Sequence, residues 1–392
     1  MRLFDTPASG DPAPAMHGEP HYDYLCRTGS PSFLRVRELM EGWLAEFPSR
    51  HREEITKRLR NRDNHHFEAA FFELYLHTLF RRIGYSVRIH PRAGNLNKRP
   101  DFLVTGDGGS RLWIEAASVS ELSDAARAEE ARLNVVYDAL NRVHCPDYFL
   151  NLQHYGELTS PLPGEKLRQE LRQFLKSLEY EKVRTLAEGG LARLPRFSFS
   201  HGSFRLTIGV IPVDPQRRGH PGHRPLGMYG PGNMELVDHH TPIRDKIRRK
   251  AHRYGQLRHP LILAINDAGG HADSIDVMEA LVGTECWMFS PLSGRPNEPT
   301  FRRAPDGALV GPTGPRNRNV SAVFLVSALL PWTVATVEPV IYCNPWARHP
   351  VEDLPESIAQ FQVDGQQMVP RGGCPMHKVL GLPKGWPHPD RE

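Results

Sequence analysis

The chain of 392 residues predicts an α/β protein, with a mixed central sheet flanked by helices. Helix-period and strand-period segments alternate along most of its length, which is typical of helices packed against a sheet. Two short apolar runs, 101–105 and 111–117, are separated by the turn sequence GDGGS and indicate a β-hairpin. A third apolar run, 260–266, follows a helical stripe and a glycine, and indicates a buried strand beside a helix.

The elements follow one another in a consistent order. We expect a helix at 33–47, a charged stretch, and the start of the main core near Asn64. The segment 66–91 has a long apolar-periodic run, a glycine stop at Gly84 and an alternating strand from Tyr85 to His90. The remaining predicted elements are helices at 122–143, 165–178, 241–254 and 276–282, strands at 148–153, 204–213 and 260–266, and a closing hairpin at 320–342.

Composition predicts the domain organisation. Residues 1–30 are rich in Pro, Gly and His, and we expect a loose N-terminal arm. Residues 31–350 should form a single α/β domain that carries an insertion at 119–240. Residues 351–392 are rich in Pro and Gly and have weak periodicity, so we expect an irregular C-terminal tail.

Two acidic residues lie within the apolar hairpin. If the turn is centred on Gly108, Asp101 and Glu115 are seven residues away on either side and face each other. Directly opposed like charges destabilise a strand pair. A divalent cation such as Mg²⁺, which binds carboxylate oxygens, would offset that repulsion. The alternative is that both acids lie at frayed strand ends in water. The metal hypothesis predicts carboxylates on one side of the sheet and a raised pKa for at least one of them without metal.

A third acid, Glu73, lies within the apolar stripe of the preceding helix. Its neighbours three or four positions away include Ala69, Ala70 and Leu76. A charge on a core-facing stripe is costly unless it is paired or binds metal. The alternative is an ordinary helix-favouring glutamate at the surface.

The order helix with Glu, strand, Pro-Asp strand, glycine-rich turn and strand with Ile-Glu-Ala-Ala resembles the core of the PD-(D/E)XK nuclease superfamily, the restriction-endonuclease-like fold. The resemblance covers residues 66–118. It implies that Asp101, Glu115 and Glu73 bind Mg²⁺ or Mn²⁺. The family lysine that positions or activates the attacking water is replaced by Ala117, which can neither donate a hydrogen bond nor carry charge.

A lysine from another element could replace the missing one. The segment 241–254 reads as a helix whose apolar stripe includes Ile247 and Tyr254, and it resembles the α-β unit beside the catalytic hairpin in that superfamily. Lys250 borders the stripe and is the first choice; Lys246, one turn earlier, is the second. The alternative is a basic solvated helix face.

Whole-chain properties limit the partners. The net charge is +4, and of 49 Lys and Arg residues only nine are Lys. Arginine suits phosphate contacts, although a GC-rich genome produces the same bias. The five cysteines are widely separated and read as free thiols in a reducing compartment. No signal peptide or membrane span is evident, so we expect a soluble, cytoplasmic protein.

The sequence therefore predicts a metal-dependent endonuclease that hydrolyses phosphodiester bonds of DNA or RNA. Two alternatives remain open at this point: a nuclease-derived binding module that lost its chemistry with the lysine, and a scaffold protein without a metal site. The choice between DNA and RNA, the sequence preference and the oligomeric state are not determined by the sequence.

Overall fold

The structure is a computed structural model that describes residues 2–5, 8–93, 98–119, 124–219, 224–231, 238–270, 272–288, 300–364 and 367–388. The chain divides into two compact units. Unit 1 comprises Met1–Pro12, Pro20–Glu121 and Asp238–Glu392, and unit 2 comprises Ala13–Glu19 and Leu122–Val237.

The helices of unit 1 are α1 (His21–Arg27), α2 (Pro31–Glu46), α3 (Ser49–Leu59), α4 (Asn64–Arg82), α8 (His240–Ala251), α9 (Ser274–Val282) and α10 (Met376–Leu380), and those of unit 2 are α5 (Asp124–Asn141), α6 (Gly164–Lys176) and α7 (Tyr180–Glu188). The strands of unit 1 are β1 (Ser86–Ile89), β2 (Phe102–Thr105), β3 (Arg111–Val119), β8 (Leu261–Asp267), β9 (Glu285–Met288), β10 (Thr300–Arg303), β11 (Val310–Gly311), β12 (Gly314–Pro315), β13 (Ala322–Ser327), β14 (Val340–Cys343), β15 (Ala359–Asp364) and β16 (Gln367–Arg371), and those of unit 2 are β4 (Tyr148–Tyr155), β5 (Arg196–His201), β6 (Phe204–Pro212) and β7 (Leu226–Pro231).

A large mixed sheet forms the centre of unit 1. In the described part of the unit, eight strands pair in the order β1-β2-β3-β8-β13-β14-β15-β16. The first three strands are an antiparallel meander, whereas β3, β8 and β13 are parallel neighbours. The predicted class, a mixed α/β protein with helices around a mixed central sheet, is therefore confirmed.

Side-chain alternation along the strands divides the core of unit 1 into two layers. Ile114, Ile262 and Phe324 face one layer, with side chains of α2, α3 and α4. Trp113, Leu263 and Val323 face the other layer, with side chains of α8 and α9. Every residue of β8 is buried, as expected for a parallel strand covered on both faces.

Local signals explain the helix that carries Glu73. Asp63 caps the N-terminus of α4, because its side chain accepts a hydrogen bond from the backbone N–H of His65. The helix ends at Ile83 followed by Gly84, whose φ of 93° favours glycine. The segment between these signals is strongly apolar, and α4 consequently lies deep in the first core layer.

The N-terminal residues do not form the loose arm that composition predicts. Leu3 is fully buried and Phe4 nearly so. Their backbone N–H groups donate to the Glu41 carboxylate, and the Phe4 ring stacks on Tyr22. Residues 21–27 form α1. The prediction was wrong because two apolar residues within a Pro- and Gly-rich segment are enough to anchor it to a core.

The C-terminal residues also differ from the expected irregular tail. β15 pairs in parallel with β14, and β16 closes the described sheet next to β15. Farther along, Met376 and Leu380 of α10 are buried in the first core layer. The alternating apolar pattern of residues 359–371 is weak because β15 and β16 lie at the edge of the described sheet. β16 pairs there with β15 alone.

Unit 2 corresponds closely to the predicted insertion, but it has its own core. In its described residues, β5-β6-β4-β7 form a sheet, with β4 and β7 parallel. Leu150, Leu206 and Ile208 of this sheet pack with Leu167 and Leu171 of α6 in a separate apolar cluster. The expectation of a single domain over 31–350 is therefore replaced by two compact units.

Candidate functional site

The register of the β2-β3 hairpin brings Asp101 and Glu115 together. Phe102 pairs with Ile114 and Thr105 with Arg111, so the hairpin is centred on Gly108 as predicted. Asp101 directly precedes β2 and therefore lies next to Glu115 across the ladder. Asp101 Oδ2 accepts a hydrogen bond of 2.7 Å from the backbone N–H of Ala116, which holds the carboxyl beside β3.

Charge crowding perturbs the Asp101 carboxyl group. Burial, followed by the negative charges of Glu115 and Glu73, raises the pKa of Asp101 to about 8. The Ala116 N–H and the Lys250 ammonium oppose this rise but do not cancel it. Burial and the neighbouring carboxylates therefore favour the protonated form of Asp101, in the direction expected from the sequence.

The Glu115 carboxylate is buried, with 2 % of its side chain exposed, and cationic and polar groups from α8 and the residues after it surround it. Lys250 Nζ lies 2.5 Å from Glu115 Oε1, and Arg253 Nη1 lies 3.1 Å from the same oxygen. The Tyr254 hydroxyl donates to Glu115 Oε2. Burial and the Glu115 carboxylate raise the pKa of Tyr254, so this hydroxyl keeps its proton.

The apolar stripe of α8 explains how these groups reach β3. Ile243, Ile247 and Ala251 are buried in the second core layer, together with Tyr254 just beyond the helix. Lys250 precedes Ala251 and is only 21 % exposed. Because the stripe packs against the face of the sheet that Glu115 also occupies, a lysine at its border points at the carboxylate.

Lys250 and Lys246 differ in their contacts. The structure brings Lys250 to Glu115, the carboxylate of the Glu115-Ala116-Ala117 triplet. Lys246 forms no ion pair with an acidic residue in the described ranges. Burial, together with the neighbouring Arg249 and Lys250, lowers the pKa of Lys246.

Glu73 approaches the cluster but is held by a different partner. Its two carboxylate oxygens accept hydrogen bonds of 2.6 and 2.8 Å from the guanidinium of Arg58, on α3. This bidentate pair satisfies Glu73 without a metal ion. Its negative charge still contributes to the raised pKa of Asp101. Glu73 therefore lies beside the Asp101-Glu115 pair as a member of an ion pair with Arg58.

The donor set suits a cation with few protein ligands. Within the described residues, no group of three or more His, Cys, Asp or Glu side chains is arranged to hold a metal ion. Mg²⁺ usually binds one or two carboxylates and completes its coordination with water and substrate phosphate. The oxygens of Asp101 and Glu115 fit that pattern, and the pKa of Asp101 is raised by burial first and then by the charges of Glu115 and Glu73.

Arg58, Arg253 and Tyr254 are the site residues that sequence reasoning missed in these roles. Tyr254 was assigned to the apolar stripe, and only its hydroxyl contact reveals a polar function. Arg253 belongs to a basic run that also fits a solvated face. Arg58 lies in α3, whose sequence is so highly charged that no helix was predicted there. No sequence signal links Arg58 to Glu73.

Comparisons with protein-family models, curated proteins and solved structures give no match to this chain. No helix within the described residues has the length and apolar character needed to cross a membrane. The function is therefore inferred from the geometry of the cluster itself.

Proposed function

We propose that this protein is a Mg²⁺- or Mn²⁺-dependent nuclease with a restriction-endonuclease-like core, which hydrolyses phosphodiester bonds of DNA or RNA. The observation that carries the proposal is the 2.5 Å contact between Lys250 Nζ and Glu115 Oε1. In this proposal Lys250 from α8 supplies the positive charge that Ala117 cannot supply. The antiparallel β1-β2-β3 meander followed by the parallel strand β8 supports the same fold.

Asp101 and Glu115 would hold the cation in this proposal. When bound, Mg²⁺ polarises the scissile phosphate and lowers the pKa of a coordinated water. The two carboxyl groups would supply oxygen ligands, and Asp101, whose raised pKa favours its proton, would have to be deprotonated to bind the cation. Arg58 positions Glu73, whose charge increases the attraction of the site for a cation.

The groups around Glu115 have separate roles in the proposed reaction. Lys250 can orient the attacking water and offset negative charge that develops on the phosphate, a contribution of several kcal/mol in comparable sites. Arg253 is 43 % exposed and can contact the substrate from the rim. Tyr254 acts as a positioning residue, because its hydroxyl fixes the orientation of Glu115.

A cleavage assay with purified protein tests the proposal. Plasmid DNA and single-stranded RNA are incubated with Mg²⁺ or with EDTA, and the products are separated by electrophoresis. Lys250→Met should abolish Mg²⁺-dependent cleavage while circular dichroism shows an intact fold. Ala117→Lys in that background should restore part of the rate. Wild-type cleavage that persists unchanged in a Lys250→Met, Lys246→Met double variant would refute the role of the α8 lysines.

One observation favours the binding module without chemistry as a second candidate. Lys250, Arg253 and Tyr254 already donate to three of the about four lone-pair positions of the Glu115 carboxylate, so a cation would compete with two positive charges and a hydroxyl for this group. In that case nucleic acid should bind to the wild-type protein without being cleaved at any Mg²⁺ or Mn²⁺ concentration. Absence of both binding and cleavage would favour the scaffold alternative.

A further inference from the structure

The cations of α8 continue beyond the contact with Glu115. Lys246 lies three and four residues before Arg249 and Lys250, and Arg253 lies four and three residues after them, so the four residues share one side of the helix and of the turn that extends it. We call these four residues the cationic stripe. Its second half, Lys250 and Arg253, is bound to Glu115.

The first half of the stripe has no acidic partner among the described residues. Asp245 is the single acidic residue of α8, and it pairs with Arg244 and Arg248. Arg249 donates only to the backbone carbonyl of Asp245. Burial and the charges of Arg249 and Lys250 lower the pKa of Lys246, which forms no ion pair in the described residues. Two cations without an acidic partner in the described residues therefore lie on the same side of α8 as Lys250, which contacts Glu115.

The helix dipole explains only part of this arrangement. Cations in the last turn of a helix are stabilised by the dipole, which applies to Arg249, but Lys246 lies before the last turn of α8. Like charges one turn apart destabilise a helix by a few tenths of a kcal/mol. A membrane-surface helix would expose apolar side chains, whereas Ile243 and Ile247 of α8 are buried in the core.

We propose that Lys246 and Arg249 bind a backbone phosphate of nucleic acid, adjacent to the scissile phosphate that a cation at Asp101 and Glu115 would contact. This assignment of the neighbouring phosphate rests on the proposed function. One helical turn separates Lys246 from Lys250, about 6 Å along the axis, which is comparable to the spacing of successive phosphates on a strand. Lysine ammonium and arginine guanidinium groups are the usual phosphate contacts, and they read no base sequence.

The test measures binding in EDTA, so that it does not depend on metal chemistry. Fluorescence anisotropy of labelled duplex and single-stranded oligonucleotides gives Kd over a range of salt concentrations. The variant is Lys246→Met with Arg249→Met. The matched control, Lys378→Met with Lys384→Met, removes two exposed cations from α10 and the segment after it. It lies away from α8, because α10 packs in the first core layer and α8 in the second.

The Lys246→Met, Arg249→Met variant should bind nucleic acid at least tenfold more weakly than wild type at about 100 mM salt. The loss should be the same for every oligonucleotide sequence. The slope of log K against log salt should decrease in magnitude by about 1, because the one lost phosphate contact removes roughly 0.9. The control should match wild type in both quantities. Thermal unfolding checks that both variants fold.

Equal binding by the stripe variant and the control would overturn the inference, as would wild-type binding to anionic phospholipid vesicles but not to nucleic acid. The proposed function fails separately. If the stripe variant loses binding and the wild-type protein never cleaves, the phosphate contact stands and the nuclease proposal does not.

Discussion

Replacement of Asp101 by Asn tests the charge crowding that defines the site. The raised pKa, about 8 against an ordinary value of 3.8, means that the folded protein keeps a proton that the unfolded chain releases near pH 4. The stabilisation from this proton is fully present below the unfolded pKa and is lost as pH rises through about 8. Asparagine is neutral at every pH and keeps an oxygen that can accept the Ala116 N–H.

The size of the effect follows from the pKa difference. Where the folded state binds one proton more than the unfolded state, the free energy of unfolding falls by about 1.4 kcal/mol per pH unit. Between pH 6 and pH 9, the wild-type protein should lose about 3 kcal/mol through Asp101, most of it below the pKa of about 8. The Asn variant lacks this loss, so its stability relative to wild type should rise by that amount.

Urea unfolding in EDTA at pH 6, 7, 8 and 9 measures this difference, with circular dichroism as the signal. Asp107→Asn is the matched control, because Asp107 is exposed in the turn of the same hairpin. The control should keep a constant difference from wild type over this range. A constant difference for Asp101→Asn as well would show that Asp101 stays ionised, and the reasoning about crowded carboxylates would be wrong.

Two further substitutions test the surroundings of the site and the chain ends. Arg58→Met leaves the mostly buried Glu73 carboxylate unpaired and should destabilise the protein by about 2 kcal/mol in urea unfolding. Adding Glu73→Gln should recover part of that lost stability. No recovery would show that the broken ion pair is not the cause. Leu3→Ala should cost about 3 kcal/mol because Leu3 is fully buried, whereas a change below about 0.5 kcal/mol would indicate a loose N-terminal segment.

Local patterns were sufficient for the elements that hold the site. The GDGGS turn and its flanking apolar runs determine the hairpin register, which places Asp101 opposite Glu115. The stripe of α8 and the apolar run of β8 likewise predict a helix and a buried strand, and the observed elements begin and end within a few residues of the expected positions. These features depend on side-chain periodicity and turn chemistry, which are properties of neighbouring residues.

Segments with weak patterns were not predicted correctly. α1 and α3, the strands β15 and β16, and the separate core of unit 2 all depend on partners that are distant in sequence. Leu3 contributes to a core formed mainly by α2 and α4, and no local signal distinguishes it from an exposed leucine. Composition alone indicated loops in these regions. It carries no information about which distant residues a side chain contacts in the folded protein.

The sequence by itself determined the α/β class, the hairpin, its paired carboxylates and the position of Lys250 beside an apolar stripe. Only the tertiary structure decided that Lys250 meets Glu115, that Tyr254 donates to the same carboxylate, and that Glu73 pairs with Arg58. The physical reason is the range of the interactions. Periodicity and turns act over a few residues, whereas an ion pair between groups 135 positions apart in the chain forms only after the sheet and both helical layers have assembled.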